Sequence, residues 1–321
     1  MRAILQDRYG ASDALRMADI AVPKPGPDAV LIRVRAAGVN MADWHLMTGL
    51  PQVARLALGL RRPRTRVRGE DVAGIVEAVG SRVTGFAVGD EVLGAASGSF
   101  ADFAVGRTRT LARKPAEIPW AEAGALPMAA MTALAAVRRV GLASGERVVV
   151  TGAGGGVGGF VVQLAAAAGC EVIAVCSAGK ADFVRGLGAA DVVDYARTDV
   201  TDAVAGVDAV IDFAGGRSLR DWRSVLAPTG RVVFGGAEGG GAVFGGLSRE
   251  LTAGFATIGS RQRASNILAL TRTAELEEVA ALVVAGALRV PIAREYPLEA
   301  APAAIDDLRA ARLPGKLVVV P

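Results

Sequence analysis

Residues 151–160 read TGAGGGVGGF, with RVVV just before them and VVQLAAAAG just after. The valine-rich run predicts a strand and the alanine-rich run a helix. In a turn between two such elements, a Cβ would block close approach of a phosphate, and the helix N-terminus offers free N–H groups and a positive dipole end. Gly154, Gly156 and Gly159 fit a G-x-G-x-x-G spacing, while Gly152, Gly155 and Gly158 fit G-x-x-G-x-x-G. Strand before and helix after make this a dinucleotide phosphate turn, with Gly152, Gly154, Gly155, Gly156, Val157 and Gly158 as the residues that would meet the cofactor.

The pattern outward from that turn supplies the rest of a doubly wound unit. CEVIAVCS, DVVDY, VDAVIDFAG and GRVVFGG read as further strands, and KADFVRGLG and SLRDWRSVLAP as helices between them. Each strand is short and apolar on both faces, as expected where helices cover both sides of a parallel sheet. Before it, residues 1–114 alternate and are broken by turns such as PKPGPD, which predicts a β-barrel or small sandwich. The period changes at PWAEAGALPMAAMTALAAVRRVG, a helical stretch, and TAELEEVAALVVAGAL is an amphipathic helix near the end. The last run, GKLVVVP, is a lone strand that cannot bury itself, so it is assigned to the first domain. The expected division is residues 1–117 with 288–321, and residues 118–287.

A chain of 321 residues, 52% hydrophobic and 21% charged, can bury a sizeable core, which excludes a disordered protein. The formal charge of +4 is spread out except at RRPRTRVR, residues 61–68. That octamer fits an anion or nucleic-acid patch or a solvated loop, and the lack of interleaved aromatics favours the loop, with no nucleic acid as partner. No apolar run reaches the ~18 residues of a membrane span, and the N-terminus lacks the apolar region of a signal peptide. Cys170 and Cys176 give no disulfide framework, so a reducing, cytoplasmic location is expected.

Cofactor choice turns on the end of the second strand of the doubly wound unit. An acidic residue there would bind the ribose 2′-hydroxyl of NAD, but the sequence is VCSAGK. Ser177 and Lys180 can donate to a 2′-phosphate, and Asp182 comes too late, which predicts NADPH. Ser177 as a helix cap and Lys180 as a surface charge are compatible with that reading.

GVNMADWHLMTG, GEDVAGIVEAVG, GDEVLG, GSFADFAV, TGAGGGVG, LGAADVVDY and GKLVVV resemble, in order, the motifs of the medium-chain dehydrogenase/reductases. The resemblance implies a GroES-like β-barrel catalytic domain beside a Rossmann-type nucleotide-binding domain. In the zinc enzymes of that family, the positions of Asn40 and Glu70 would be a cysteine and a histidine ligand. Zinc prefers sulfur or imidazole in a tetrahedral set, which Asn40, Glu70, Asp71 and the one histidine, His45, do not supply. The chain therefore resembles the zinc-independent branch of quinone oxidoreductases and NADPH-dependent enone reductases. Leu50 stands about where relatives of this type carry a tyrosine.

The resemblance implies roles for Thr132 near the nicotinamide, Tyr195 near the adenosine phosphate, and Lys316 of the closing Gly-Lys pair. Ala214, Gly235 and Gly236 follow later strands of the sheet, at the edge where ligands gather. Asn40 is the preferred donor to substrate or nicotinamide ribose, with a turn residue as the alternative. Asp43 either orients that site or caps the helix beginning ADWHLM. His45 is assigned to surface or packing, while Trp44 and Phe100 fit an apolar pocket lining and core packing equally well. Without a Lewis acid, the acceptor must delocalise incoming charge, so the expected substrate is a quinone or an activated C=C bond. The alternatives are an enoyl-thioester reductase, with RRPRTRVR attracting a carrier's phosphates, and a non-catalytic nucleotide-binding or RNA-associated protein. A homodimer joined at the sheet edge near GRVVFGG is expected.

Overall fold

The structure, a computed structural model, describes residues 1–236, 241–246, 259–267 and 271–321. Its strands are β1 (Arg2–Gln6), β2 (Leu15–Asp19), β3 (Ala29–Val39), β4 (Asp71–Val79), β5 (Glu91–Ser97), β6 (Phe103–Arg113) and β7 (Arg147–Thr151). They continue as β8 (Glu171–Cys176), β9 (Asp191–Asp194), β10 (Val207–Asp212), β11 (Leu226–Phe234), β12 (Arg263–Asn266), β13 (Ile292–Pro297) and β14 (Lys316–Val320). One compact unit holds Met1–Met131 and Leu270–Pro321, and the other holds Thr132–Ala269. The expected division at 117 and 288 differs from this on both sides. Helix Trp120–Ala125 packs on β3 and β4, and helix Thr273–Val284 packs on β6, where Thr273 Oγ1 donates to Leu111 O at 2.9 Å.

The first unit is built around β3, whose eleven residues expose only Arg33 and Arg35. β3 pairs antiparallel with β4, β6 and β14, and β4–β5–β6 completes the circuit, so the sheet closes on itself. Closure leaves one apolar interior, with Ile4, Ile32, Val72, Phe100 and Leu111 in it. Phe100 is thus a core residue, and Trp44 packs against the same core. The closing strand β14 lies here as expected, between β3 and β13.

The second unit is an all-parallel sheet in the order β12-β11-β10-β7-β8-β9. In strand order within the unit this is 6-5-4-1-2-3, the doubly wound arrangement whose direction reverses between β7 and β10. β7, β8 and β10 are buried almost throughout because helices cover both faces. The edge prediction needs correcting. GRVVFGG lies in and just after β11, which is an interior strand, because β12 pairs with it outside. Among the described residues no helix is long and apolar enough to cross a membrane.

Candidate functional site

In the second unit, Thr151 ends β7 and Gly152 turns the chain with φ of 63°, a left-handed value that suits glycine. Gly155 N donates to Gly152 O at 2.9 Å, and helix Gly156–Ala167 begins directly after. A Cβ on Gly158 would lie 2.2 Å from Gly152 O, so the first helical turn and the loop touch backbone to backbone. A Cβ on Gly154 would lie 2.5 Å from Lys180 Cδ. The loop is therefore floored by main chain and crossed by one lysine stem.

Lys180 comes from the turn Ala178–Lys180 that follows β8, and it is buried rather than a surface charge. Burial pulls its ammonium below the usual lysine value. Ser177 precedes that turn without a capping bond from its side chain, which leaves the hydroxyl free to serve a ligand. Asp182 points away in an ion pair with Arg185. Tyr195 follows β9 with 62% of its surface exposed, and its N–H donates to Cys176 O at 3.3 Å. Strands β7, β8 and β9 run parallel, so the glycine loop, Ser177, Lys180 and Tyr195 lie at one sheet edge. Thr132 is half-buried in helix Pro127–Val140.

A buried knot that the sequence reading missed fixes this edge. Asp212, the last residue of β10, accepts Thr151 Oγ1 at 2.6 Å on one carboxylate oxygen and Trp222 Nε1 at 2.9 Å on the other. Phe213 N and Ala214 N each donate to Thr151 Oγ1 at 3.0 Å, and Gly215 N donates to Asp212 Oδ1 at 3.1 Å. Gly235 N donates to Asp212 O at 3.0 Å, and a Cβ on Gly235 would strike the Phe213 ring. The turns after β7, β10 and β11, with Ala214, Gly235 and Gly236 in them, are thus tied together. An aspartate closing the strand straight after the apolar run Ala209–Ile211 was the available signal.

The first unit holds a second polar group, inside the barrel. Asn40 is the N-cap of helix Met41–Thr48, and Asp43, at the third helical position, accepts Asn40 N at 2.8 Å. The capping prediction therefore needs adjusting: the helix starts at Met41, and Asp43 serves as the returning half of a capping box. Asn40 Nδ2 donates to Asp71 Oδ2 at 2.8 Å, while Asn40 Oδ1 accepts Lys316 Nζ at 2.5 Å. Lys316 also donates to Val39 O at 3.1 Å, so it sits in the barrel's polar cluster with two of its three protons engaged. Asp71 accepts Met128 N at 3.1 Å. Gly38 permits this packing, because a Cβ there would lie 2.6 Å from Gly124 O. The second Nδ2 proton of Asn40 has only a 3.5 Å contact with Gly38 O. With the third ammonium proton of Lys316 and Arg68 Nε, it is one of the cluster's donors that lack a close partner.

Burial dominates the electrostatics of this cluster. It pushes the Asp43 carboxyl up to about 8, with Glu70 adding to the rise, and the Asp71 carboxyl up to about 7 against the pull of Lys316. Burial also raises Glu70 and lowers Lys316 and Arg68. Arg68 is the one arginine of the 61–68 octamer that is buried, with its field on Asp43 and Glu70, and it departs from the solvated-loop reading. Asp43 Oδ1 and Arg68 Nε are buried with no hydrogen-bond partner among the described residues. His45 Nδ1 lies 2.8 Å from Leu50 O, and its ring meets Trp44 edge-on.

These residues do not fit a zinc ion. A lysine ammonium occupies the carboxamide oxygen of Asn40, and both cysteines belong to the other unit, at β8 and the residue before it. Tetrahedral N/S coordination has no donor set here.

Residues 26–116 match the alcohol dehydrogenase GroES-like domain family, and residues 187–319 match the zinc-binding dehydrogenase family. The chain is 32% identical to a chloroplastic quinone-oxidoreductase homolog of Spinacia oleracea over 336 aligned positions, covering all of this chain and 98% of that one. It is 34% identical to the 2-methylene-furan-3-one reductase of Solanum lycopersicum, across 72% of this chain and 63% of that protein. A mycobacterial protein solved in complex with NADPH superposes with a TM-score of 0.85 at 28% identity, over the full length of both chains.

Proposed function

Because the chain belongs to the medium-chain dehydrogenase/reductases, on their quinone oxidoreductase branch, we propose that it reduces a quinone or the activated C=C bond of an α,β-unsaturated carbonyl with NADPH, without zinc. The observation that carries this reading is the end of β8, where Ser177 and Lys180 stand beside the glycine loop and the segment from Ser177 to Ala181 carries no acidic residue. Bound there, NADPH supplies a hydride.

The unit with residues 132–269 holds the cofactor: loop residues Gly152 to Gly158 take the diphosphate. Ser177, Lys180 and Tyr195 surround the 2′-phosphate, Ala214, Gly235 and Gly236 line the same edge, and Thr132 serves the nicotinamide. The barrel unit holds the acceptor. Asn40 offers its remaining Nδ2 proton to the oxygen on which charge develops, and Asp71 and Lys316 fix the plane of its carboxamide. Asp43 anchors the backbone of Asn40 and so acts through it. A quinone or enone needs no stronger electrophile, because conjugation spreads the added charge onto oxygen. The proton that completes an enone's reduction comes from water.

We assign the chain to the cytoplasm, in keeping with its two free cysteines. We also assign it a homodimer, with β12 as the strand that would meet its twin. That strand is short and carries Arg263, features that protect edges from indiscriminate pairing.

Two measurements test the reading. With NADPH deuterated at the transferred position, label must arrive at the enone β-carbon, in chelator as well as without it; label on a carbinol carbon contradicts the reaction. Lys180→Ala should weaken NADPH by about tenfold, roughly 1.4 kcal/mol, and leave NADH unchanged. Equal losses for both cofactors would remove Lys180 from the 2′-phosphate.

A further inference from the structure

At the amino ends of β11 and β12 the nucleotide unit carries an arginine cleft that the proposed reaction does not use. Thr229, Arg231, Arg261 and Arg263 line this open cleft of about 340 Å³. The two strands run parallel, with Arg231 registered against Arg263 and Phe234 against Asn266. Gly235 and Gly236, at the proposed cofactor edge, follow the far end of β11. Arg231 precedes Phe234 by three residues, about 10 Å along a strand, so the cleft lies at the opposite end of these strands.

The segment that presents these arginines is braced from behind. Gln262 Nε2 donates to Arg223 O at 3.2 Å and Ala227 O at 3.3 Å, and Gln262 Oε1 accepts Arg223 Nε at 3.0 Å. Ser260 Oγ accepts Arg223 Nη2 at 3.1 Å and Gln262 N at 3.2 Å. Ser260 and Gln262 are thus tied to helix Leu219–Val225 and the start of β11, while Arg261 between them is exposed, as is Arg263. An ordinary surface arginine hangs from a backbone with no such anchorage; here the main chain under both side chains is fixed.

The charges of the cleft do not balance. Arg261 and Arg263 make no ion pair or side-chain hydrogen bond among the described residues. Arg231 Nη2 meets Glu146 Oε2 at 2.5 Å, and its Nε has no partner among the described residues. No carboxylate is among the lining residues, and that Glu146 oxygen also accepts Ala143 N at 2.9 Å. Like charges set side by side on neighbouring strands repel, so Arg231 beside Arg263 is a cost that an anion would relieve.

We propose that this cleft binds a phosphate dianion, free or as the head of a small phosphomonoester, on Arg261, Arg263 and the Thr229 hydroxyl. Guanidinium forks match phosphate oxygens bidentately, and a dianion balances the two unpaired arginines. A volume at the low end of the ~300–1,000 Å³ of small-molecule sites leaves room for a small ester group. No aromatic side chain lines the cleft, which leaves a nucleic acid without a stacking partner. A twin strand would pair with the main-chain edge of β12, whereas side chains rise from the sheet faces, so the proposed dimer and the anion use different groups.

The test is a calorimetric titration of the full chain, with and without NADPH, by inorganic phosphate and by glycerol 3-phosphate in chloride at constant ionic strength. Saturable binding should appear in both states, and the tighter anion names the source. Arg261→Gln/Arg263→Gln should weaken that anion by at least about tenfold, the scale of charge-assisted hydrogen bonds, and leave kcat/KM for quinone reduction unchanged. Arg261→Lys/Arg263→Lys, which keeps the charge but loses the forks, should fall between the wild type and the glutamine variant. Absence of saturable binding by either anion overturns the inference, as does affinity that survives in the glutamine variant. An equal loss in Arg107→Gln/Arg109→Gln, exposed on β6 of the barrel unit, would reduce the effect to net charge and overturn it too. Binding that NADPH abolishes would place the anion at the cofactor edge, with the same consequence.

Discussion

The glycine loop of the second unit and the polar cluster of the first solve opposite problems. The loop is made of main chain: its glycines remove side chains so that N–H groups and a helix end face outward. The cluster is made of side chains drawn from the N-cap and first turn of helix Met41–Thr48, β4 and β14, and it packs them so tightly that few polar atoms are left over. A site for a constant ligand such as a dinucleotide can be written in one contiguous stretch. A donor that must be aimed has to be braced from several directions.

The comparison breaks most visibly at Gly158. A Cβ there lies 2.2 Å from Gly152 O, against backbone that cannot swing aside. Gly158→Val should weaken NADPH by at least ~10²-fold, on the scale set by loss of the phosphate turn. Fluorescence titration checks this, with circular dichroism to show that the sheet persists. Near-normal affinity would mean that the loop does not hold the cofactor.

Next in size is Asn40→Ala, which should lower kcat/KM for an enone or quinone by about 10²-fold, the scale of one donor to developing oxyanion charge. NADPH affinity should stay unchanged, in contrast to Gly158→Val. A loss confined to KM would mean that Asn40 serves ground-state binding rather than the aimed hydrogen bond.

The smallest expected effect is electrostatic. Asp71 and Asp43 stand at about 7 and about 8 against an ordinary 3.8, chiefly through burial. With folded values raised, the folded chain holds protons that the unfolded chain releases. The stability these groups add is therefore full below about pH 3.8 and is lost as pH rises through about 7 and 8. Thermal melts should show the wild-type Tm falling relative to that of Asp43→Asn between about pH 5 and pH 9. Parallel curves would place the Asp43 carboxyl in contact with water.

The two regions also differ in how much of each was legible in the sequence. Strand, glycine turn and helix are local patterns, so TGAGGGVGGF was enough to read the strand–turn–helix unit that the structure forms. Asn40 and Asp43 were legible as candidates, but not their partners. Lys316 follows Asn40 by 276 residues, and the closure of β3 against β14 that brings them together is not a local pattern. Arg68 looked like the tail of a charged loop because burial of one arginine in an octamer leaves no trace in composition. The edge near GRVVFGG was misplaced for a related reason: β12 carries only RASN, too short and polar to read as a strand.

The Asp212 knot gives the nucleotide unit a built-in ruler. The two carboxylate oxygens of this one residue reach Thr151 and Trp222 while its main-chain oxygen reaches Gly235, so the gap between the turns after β7 and β10 is set by the length of a single short side chain and the turn after β11 is held by main chain. A glutamate would keep the charge and the apolar surroundings yet change the gauge, moving the turns after β7 and β10 out of step while the main-chain tie to Gly235 persists. The proposed dinucleotide site would then depend on a dimension as much as on any contact, and that dimension is stored in a residue outside the proposed contact set.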